Sequence, residues 1–148
     1  MDFFRDADRT TNHRDILQFL SDCDDVSKDK VLDFSFLQQT PLIRYSASFM
    51  ILQWQEEKQD FLIKYWGSHI TEVFGLDLTG RFLAIGEHVE DERYLIMAHY
   101  EAMKDQKKVF LGGAIDWGDK SHKQWNEVIQ PLSRDGNIGE TLTYVTFK

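Results

Sequence analysis

The residues of this sequence that by type and spacing could bind a metal or catalyse a reaction are acids and histidines at two places. The first is the segment GEHVEDER, in which His88 stands beside Glu87, Glu90, Asp91 and Glu92. A hard cation needs several oxygens that converge on one point. Consecutive acids at a helix start instead point around the axis, where they favour the helix dipole. We therefore interpret this segment as a solvated, capping face and predict no metal site.

The second place is the turn around GDKSH, where Asp116, Asp119, Ser121 and His122 lie close together in sequence. A nucleophile with its base can be imagined there. Turns, however, collect Asp, Ser and Gly for backbone reasons, and no GxSxG elbow accompanies these residues. The sequence therefore predicts no catalytic residue and a protein that is not an enzyme.

Bulk composition limits the classes of partner. The chain has 148 residues, enough for one domain with a core of its own, and its 11 Phe, 5 Tyr and 4 Trp are rich in large rings. The formal net charge is −8, and no basic stripe is present, so we expect no binding to nucleic acid. The charged N-terminus and the single cysteine, Cys23, predict a cytoplasmic protein without membrane insertion.

The chain divides into three parts by pattern. Residues 1–11 are polar and are predicted to be flexible, and residues 12–45 hold an amphipathic helix, from Asn12 as its cap to Cys23, followed by a covering segment. The core, residues 46–148, opens with two strand-like runs, SASFMILQWQ and DFLIKYWG. Alternation in the second run predicts that its odd-numbered apolar residues share the buried face, namely Phe61, Ile63 and Tyr65.

Helices come next, and three strands finish the chain. SHITEVFG is predicted to form a short helix capped by Ser68 and closed by Gly75. EDERYLIMAHYEAMKDQKK is the longest helical pattern, with one apolar stripe made by Leu95, Ala98, His99 and Ala102. The strand runs are KVFLGGAIDWG, HKQWNEVIQPLS and ETLTYVTFK, with SRDGNIG as the turn of the last hairpin.

This order predicts an α+β domain: a five-stranded antiparallel sheet with helices packed on one face, plus the N-terminal amphipathic helix. Helices that cross a curved sheet leave an apolar hollow, which is a common site for small molecules. Within the strands, Trp117 shares parity with Leu111 and Ile115, and Trp125 with Ile129, so we expect each of these tryptophans to share a sheet face with apolar neighbours.

The element order is that of the PAS fold, and FLIKYWGSHITEVFGLDLTGRFL resembles a bacterial single-domain PAS-like family. In that family an aromatic strand ends in Gly-Ser/Thr, a short helix ends in FG, and DLTGR follows. PLSRDG, with Glu127 just ahead of it, is similar to the family's final hairpin. The GLDLTGR element is interpreted as a structural joint that reverses the chain between two short helices, and its members are Gly75, Asp77, Thr79, Gly80 and Arg81.

The resemblance implies a sensory or regulatory module that binds a small ligand or a protein partner and signals by association with another chain. A homodimer or a signalling partner is expected to contact the helix from Asn12 to Cys23. The residues implied for the ligand pocket are Phe61, Ile63, Tyr65, Trp66, Leu95, His99, Ile115 and Trp117. Two alternatives stay open: a cavity filled by its own rings, as in a purely structural adaptor, and a small isomerase- or hydrolase-like enzyme using Tyr65 and His99.

Two cofactors, haem and a flavin, are suggested by the resemblance. In PAS proteins that bind haem, the resembling helix supplies the iron-ligating histidine, which makes His99 the candidate axial ligand. The alternative is a histidine hydrogen-bonded at the cavity edge. A flavin photoadduct needs a cysteine on the helices above the cavity, whereas Cys23 lies in the N-terminal helix, so that chemistry is not expected.

Overall fold

The computed structural model describes residues 3–84, 89–114 and 124–147, and for residues 89 and 90 the backbone alone. The strands are β1 (Phe3–Arg5), β2 (Leu32–Asp33), β3 (Phe49–Gln55), β4 (Asp60–Trp66), β5 (Val109–Ala114), β6 (Gln124–Arg134) and β7 (Asn137–Phe147). The helices are α1 (Asp8–Thr11), α2 (Arg14–Ser27), α3 (Ser68–Phe74) and α4 (Val89–Lys104), with 3₁₀ turns at Phe34–Phe36 and Leu42–Ser48.

The sheet is antiparallel along its main path, with the order β1-β5-β6-β7-β3-β4. The five long strands are those predicted, and together with α3 and α4 they make an α+β fold. The sheet has seven strands rather than five, because β1 pairs with the outer edge of β5 and β2 runs parallel to the end of β6. Both additions are short and cover sheet edges that would otherwise present unpaired backbone groups.

Helices cover both faces of this sheet: α3 and α4 pack on one face, as predicted, and the N-terminal helix α2, for which no face was predicted, packs on the other. Helices α3 and α4 pack against one face, here called the cavity face, through residues such as Ile70, Ala98 and Ala102. Helix α2 packs on the opposite face, the α2 face, where Phe19 and Val128 belong to one cluster. The apolar side of α2 is therefore buried against the chain's own sheet.

The N-terminal segment, predicted to be flexible, is instead folded onto the domain from Phe3 onward. Thr10 in α1 is fully buried, and Arg9 donates hydrogen bonds to the Gln124 side chain and the Gly113 carbonyl. The N-cap of α2 is His13, whose Nδ1 accepts from the Asp15 amide, so the prediction of Asn12 as the cap is wrong by one residue.

The cap of α3 also differs from the prediction. Gly67, and not Ser68, is the N-cap, and no side chain caps this helix. A Cβ on Gly67 would lie 2.2 Å from the Ala47 carbonyl oxygen, so the close approach of two backbone segments requires glycine here.

A bulge in the β3–β4 pair changes which aromatic residues face the cavity. The register shifts between Ile51 and Leu52, so that Ile51 pairs with Tyr65 while Leu52 pairs with Ile63. The extra residue reverses the alternation beyond it. Tyr65, predicted to be buried with Phe61 and Ile63, is therefore exposed and donates from its hydroxyl to the Ser46 carbonyl.

The segment after α3 returns along the free edge of β4. Gly75 ends α3 with φ of 80°, Gly80 has φ of 88°, and the Asp77 carboxylate accepts from the amide and hydroxyl of Thr79. The Gly80 amide then donates to the Ile63 carbonyl, and the Ile63 amide to the Arg81 carbonyl. Because the described residues 75–84 contain no helix, this joint connects α3 to a sheet edge and not to a second short helix.

The last hairpin has the two-residue turn that its sequence predicts. Asp135 and Gly136 both have positive φ, 54° and 85°, between the ends of β6 and β7. Across residues 3–84, 89–114 and 124–147, every helix is too short or too polar to cross a lipid bilayer.

Candidate ligand-binding cavity

A cavity of about 240 Å³ lies between the cavity face of the sheet and the segment formed by α3, the joint and α4. Its lining is mostly apolar and aromatic, with the polar side chains concentrated on α4 and β6. The described lining residues are Phe3, Met50, Ile63, Trp66, Ile70, Phe74, Leu78, Leu83, Asp91, Glu92, Leu95, His99, Trp125, Glu127, Val145 and Phe147. An apolar hollow with a few convergent polar groups is the usual form of a small-molecule site.

Half of the residues implied for the pocket line this cavity. They are Ile63, Trp66, Leu95 and His99. Phe61 is fully buried beside the cavity, with its ring centroid 5.7 Å from that of His99. Tyr65 lies outside because of the bulge, and Ile115 and Trp117 are outside the described residues.

Glu127 is the lining residue that the sequence reasoning missed as a site residue. It sits on β6 between Trp125 and Ile129 on the cavity face, and its side chain is almost completely buried. Its Oε1 accepts a hydrogen bond of 3.2 Å from Trp125 Nε1, while its Oε2 has no partner among the described residues. Burial raises the pKa of this carboxyl to about 7. The signal in the sequence was an acid at the centre of a period-two apolar row.

A second lining residue also carries a buried polar atom without a partner among the described residues. The indole Nε1 of Trp66 is buried and donates to no described residue. An unpaired buried donor or acceptor costs roughly 1–3 kcal/mol, and such groups in native proteins call for an explanation. One unpaired acceptor and one unpaired donor are therefore carried by residues that line one cavity.

His99 projects from α4 toward the sheet, as its position in the apolar stripe predicts. Its Nδ1 shares a hydrogen bond of 2.8 Å with Thr141 Oγ1, and burial lowers the pKa of the imidazole to about 3. His99 is therefore neutral near pH 7. The arrangement matches a hydrogen-bonded histidine, and a cavity of about 240 Å³ is smaller than a porphyrin requires, so the residues present do not fit haem.

The other cofactor predictions can be placed on the structure as well. Cys23 is buried on the α2 face, and burial raises the pKa of its thiol to about 12, so it is neither near the cavity nor ionised. No set of three or more metal-ligating side chains is assembled among the described residues. Glu87, His88 and the GDKSH turn lie outside them.

A larger cleft, of about 670 Å³, lies along α4 and is lined in part by Arg5, Tyr94 and Glu101. Two of its charged groups, Arg5 and Glu101, already form an ion pair with each other. The smaller cavity is the better candidate site because two of its lining residues, Trp66 and Glu127, each carry a buried polar atom without a partner among the described residues.

Comparison with known proteins gives a structural likeness and no sequence relative. No family model matches the chain, and no curated protein matches it either. Among solved structures, the PAS domain of the histidine kinase ThkA is similar at 15% identity and a TM-score of 0.45, with 66% of this chain and 95% of that chain covered. A selenomethionine double variant of the same domain matches at 13% identity and a TM-score of 0.44, with 67% and 96% covered. Likeness at this level does not extend to a ligand, a partner or an activity.

Proposed function

We propose that this chain is a PAS-like sensory or regulatory module that binds a small molecule in the cavity between α4 and the sheet. The observation that carries the proposal is the unpaired Oε2 of Glu127, in a side chain that is only 4% exposed and faces an apolar cavity. Natural cores rarely leave a carboxylate oxygen unpaired, and a ligand donor supplies its missing partner.

The proposed output is association with another chain, either a second copy or a signalling protein in the cytoplasm. Several large apolar side chains remain on the surface and are available for such a contact, including Leu17, Ile43 and Met97, which is 65% exposed. Helix α2 can contribute only its outer side, because Ile16, Phe19 and Cys23 are already packed against the sheet. Ligand occupancy would bias association by favouring one arrangement of α3 and α4 over another.

Native mass spectrometry of protein purified without added ligand tests this proposal. Leu95→Phe narrows the cavity, and Leu20→Phe makes the same chemical change at a half-buried position of α2 on the other face. We expect bound mass in the wild-type protein and in Leu20→Phe, and less or none in Leu95→Phe. If the wild type carries no extra mass and a fragment screen by ligand-observed NMR finds nothing that Leu95→Phe blocks, the cavity is not a ligand site.

A second candidate, a small cavity enzyme, is favoured by one observation: the raised pKa of Glu127, about 7, suits a general acid or base. Of the two groups predicted for such an enzyme, Tyr65 is exposed outside the cavity, and burial lowers the pKa of His99 to about 3. Incubation with the compound released from the purified protein separates the two functions. A sensor returns the compound unchanged, whereas an enzyme converts it and loses that activity in Glu127→Gln.

A further inference from the structure

The chemistry of the cavity narrows the class of ligand, on the condition that the proposed function holds. All charged side chains on the described lining are acids, Asp91, Glu92 and Glu127. Asp91 and Glu92 have interaction partners of their own, so Glu127 is the acid with an oxygen left over. A buried carboxylate is stabilised best by an opposite charge that also donates hydrogen bonds.

Aromatic rings supply the second half of the site. Phe3 and Trp125 meet edge to face at 5.7 Å, and Phe74 contacts both Trp66 and Phe147 at 6.0 Å between centroids. All five rings line the cavity. Faces and edges of this kind hold the apolar body of a ligand, and ring faces also attract ammonium groups.

The volume limits the size of the occupant. A cavity of about 240 Å³ corresponds to the liquid volume of roughly eight water molecules, which is enough for one ring with a short side arm and too little for a nucleotide or a flavin. We propose that the cavity takes a small organic amine, bound as its ammonium form with the nitrogen on Glu127 and its apolar body among the five rings. An acceptor atom on the same molecule would accept a hydrogen bond from Trp66 Nε1.

The groups around Glu127 make this proposal sensitive to pH. Helix α4 contributes three titratable neighbours on the lining, Asp91, Glu92 and His99. The other elements around Glu127 contribute apolar residues: Ile70 and Phe74 from α3, and its register partners Leu111 on β5 and Val145 on β7. Burial raises the pKa of Glu127 to about 7, so below that pH the carboxyl must release a proton to solvent before it can hold an ammonium group. Affinity for an amine should therefore rise with pH, by about tenfold between pH 6 and pH 8.5. A neutral acceptor ligand would show the opposite slope, because it needs the protonated carboxyl.

Isothermal titration calorimetry with three matched probes tests the class of ligand. Benzylamine, benzyl alcohol and benzoate have similar size and differ in charge. At pH 8.5 we expect benzylamine to bind at least about tenfold more tightly than benzyl alcohol, because its ammonium group donates to the Glu127 carboxylate and carries the opposite charge. Benzoate should bind least, because its charge has the same sign as that of Glu127. Glu127→Gln should abolish the preference for the amine and its pH slope while binding of benzyl alcohol persists. Leu95→Phe should weaken all three probes, and Leu20→Phe none.

The failures are distinguishable. If benzyl alcohol or benzoate binds as tightly as benzylamine and Leu95→Phe blocks that binding, the cavity is a ligand site but not one for amines. If benzylamine binds equally to the wild type, Glu127→Gln and Leu95→Phe, it binds elsewhere on this acidic protein and the proposal is overturned. If no probe binds and purified protein carries no ligand, both the amine site and the proposed function fall.

Discussion

The α2 face and the cavity face of the sheet differ in whether their buried polar side chains have hydrogen-bond partners. On the α2 face, Asn126 Oδ1 accepts a bond of 2.6 Å from Thr10, the Gln130 amide donates to Cys23 Sγ, and Glu140 forms an ion pair with Arg134. On the cavity face lie the three buried side-chain atoms without a partner among the described residues, in Trp66, Glu127 and Thr143.

The packing differs in the same direction. Phe19 of α2 stacks on Tyr144 at 4.6 Å and meets Tyr45 and Phe49 edge to face, so the α2 face is a filled aromatic core. The opposite face keeps a cavity of about 240 Å³ above the middle of the sheet. Both faces bury large apolar clusters, and the cavity face differs in leaving room that a ligand could occupy. Proteins commonly break packing rules where they function.

The largest expected effect compares two phenylalanines. Phe19→Ala removes a fully buried ring and should lower the free energy of unfolding by about 3–5 kcal/mol. Phe74→Ala removes a half-buried ring beside existing empty space, so we expect less than half that loss. Urea denaturation of both variants measures the difference. Equal losses would mean that the two faces are packed equally well.

The next effect concerns pH and Glu127. Its pKa is raised to about 7 in the folded state, from the usual 4.5, so the folded protein binds the extra proton between these values. Stability from this group is therefore highest below pH 4.5 and is lost as pH rises to about 7, by about 3 kcal/mol at most. Glu127→Gln lacks this term, so its stability relative to wild type should increase from pH 4.5 to pH 8 in denaturation curves. A difference that does not change with pH would show that Glu127 is solvated or paired.

Asp22 on α2 should respond in the opposite direction. Its carboxylate accepts from the Tyr45 hydroxyl and from Arg44, and these bonds hold its pKa below the usual value. Its stabilisation is present above pH 4 and is lost as pH falls through the lowered pKa. Asp22→Asn should cost about 1 kcal/mol at pH 7 and nothing at the acidic end. Tyr45→Phe, which removes only the hydroxyl donor, is the control and should reproduce part of the loss.

The smallest effect tests the outer side of α2. Leu17 is 48% exposed, whereas its neighbour Ile16 is fully buried. Leu17→Ser should lower the free energy of unfolding by less than about 0.5 kcal/mol, and Ile16→Ser should lower it by several times more. Thermal unfolding followed by circular dichroism compares them. A large loss in Leu17→Ser would show that the outer side of α2 is covered, for example by a second copy of the chain.

Much of the secondary structure could be predicted because its signals are local. The α4 stripe of Leu95, Ala98, His99 and Ala102 follows from a period of 3.6 residues, and Ala98, His99 and Ala102 are buried as expected. The Asp135-Gly136 turn follows from the need for positive φ at both positions. Trp125 and Ile129 share the cavity face because side chains alternate along a strand.

The candidate site could be predicted only in part, because a single inserted residue changes what alternation implies. The bulge opposite Ile51 and Leu52 sends Tyr65 outward and Trp66 into the cavity, and no local pattern in DFLIKYWG marks it. Likewise, the sequence predicts that α2 is amphipathic, but an apolar stripe does not determine which surface the helix covers. A free partner surface and the back of the chain's own sheet produce the same pattern.

The sequence by itself determined the element types, their order, the turns and the apolar rows, since each depends on residues within a few positions of one another. Tertiary structure alone decided that α2 closes one face and that Glu127 lies buried with one oxygen unpaired. The burial of Glu127 depends on elements that are distant from it in the chain, namely α3, α4 and β7. The pKa that gives this carboxyl its chemical interest is therefore a property of the assembled fold and not of the strand that carries it.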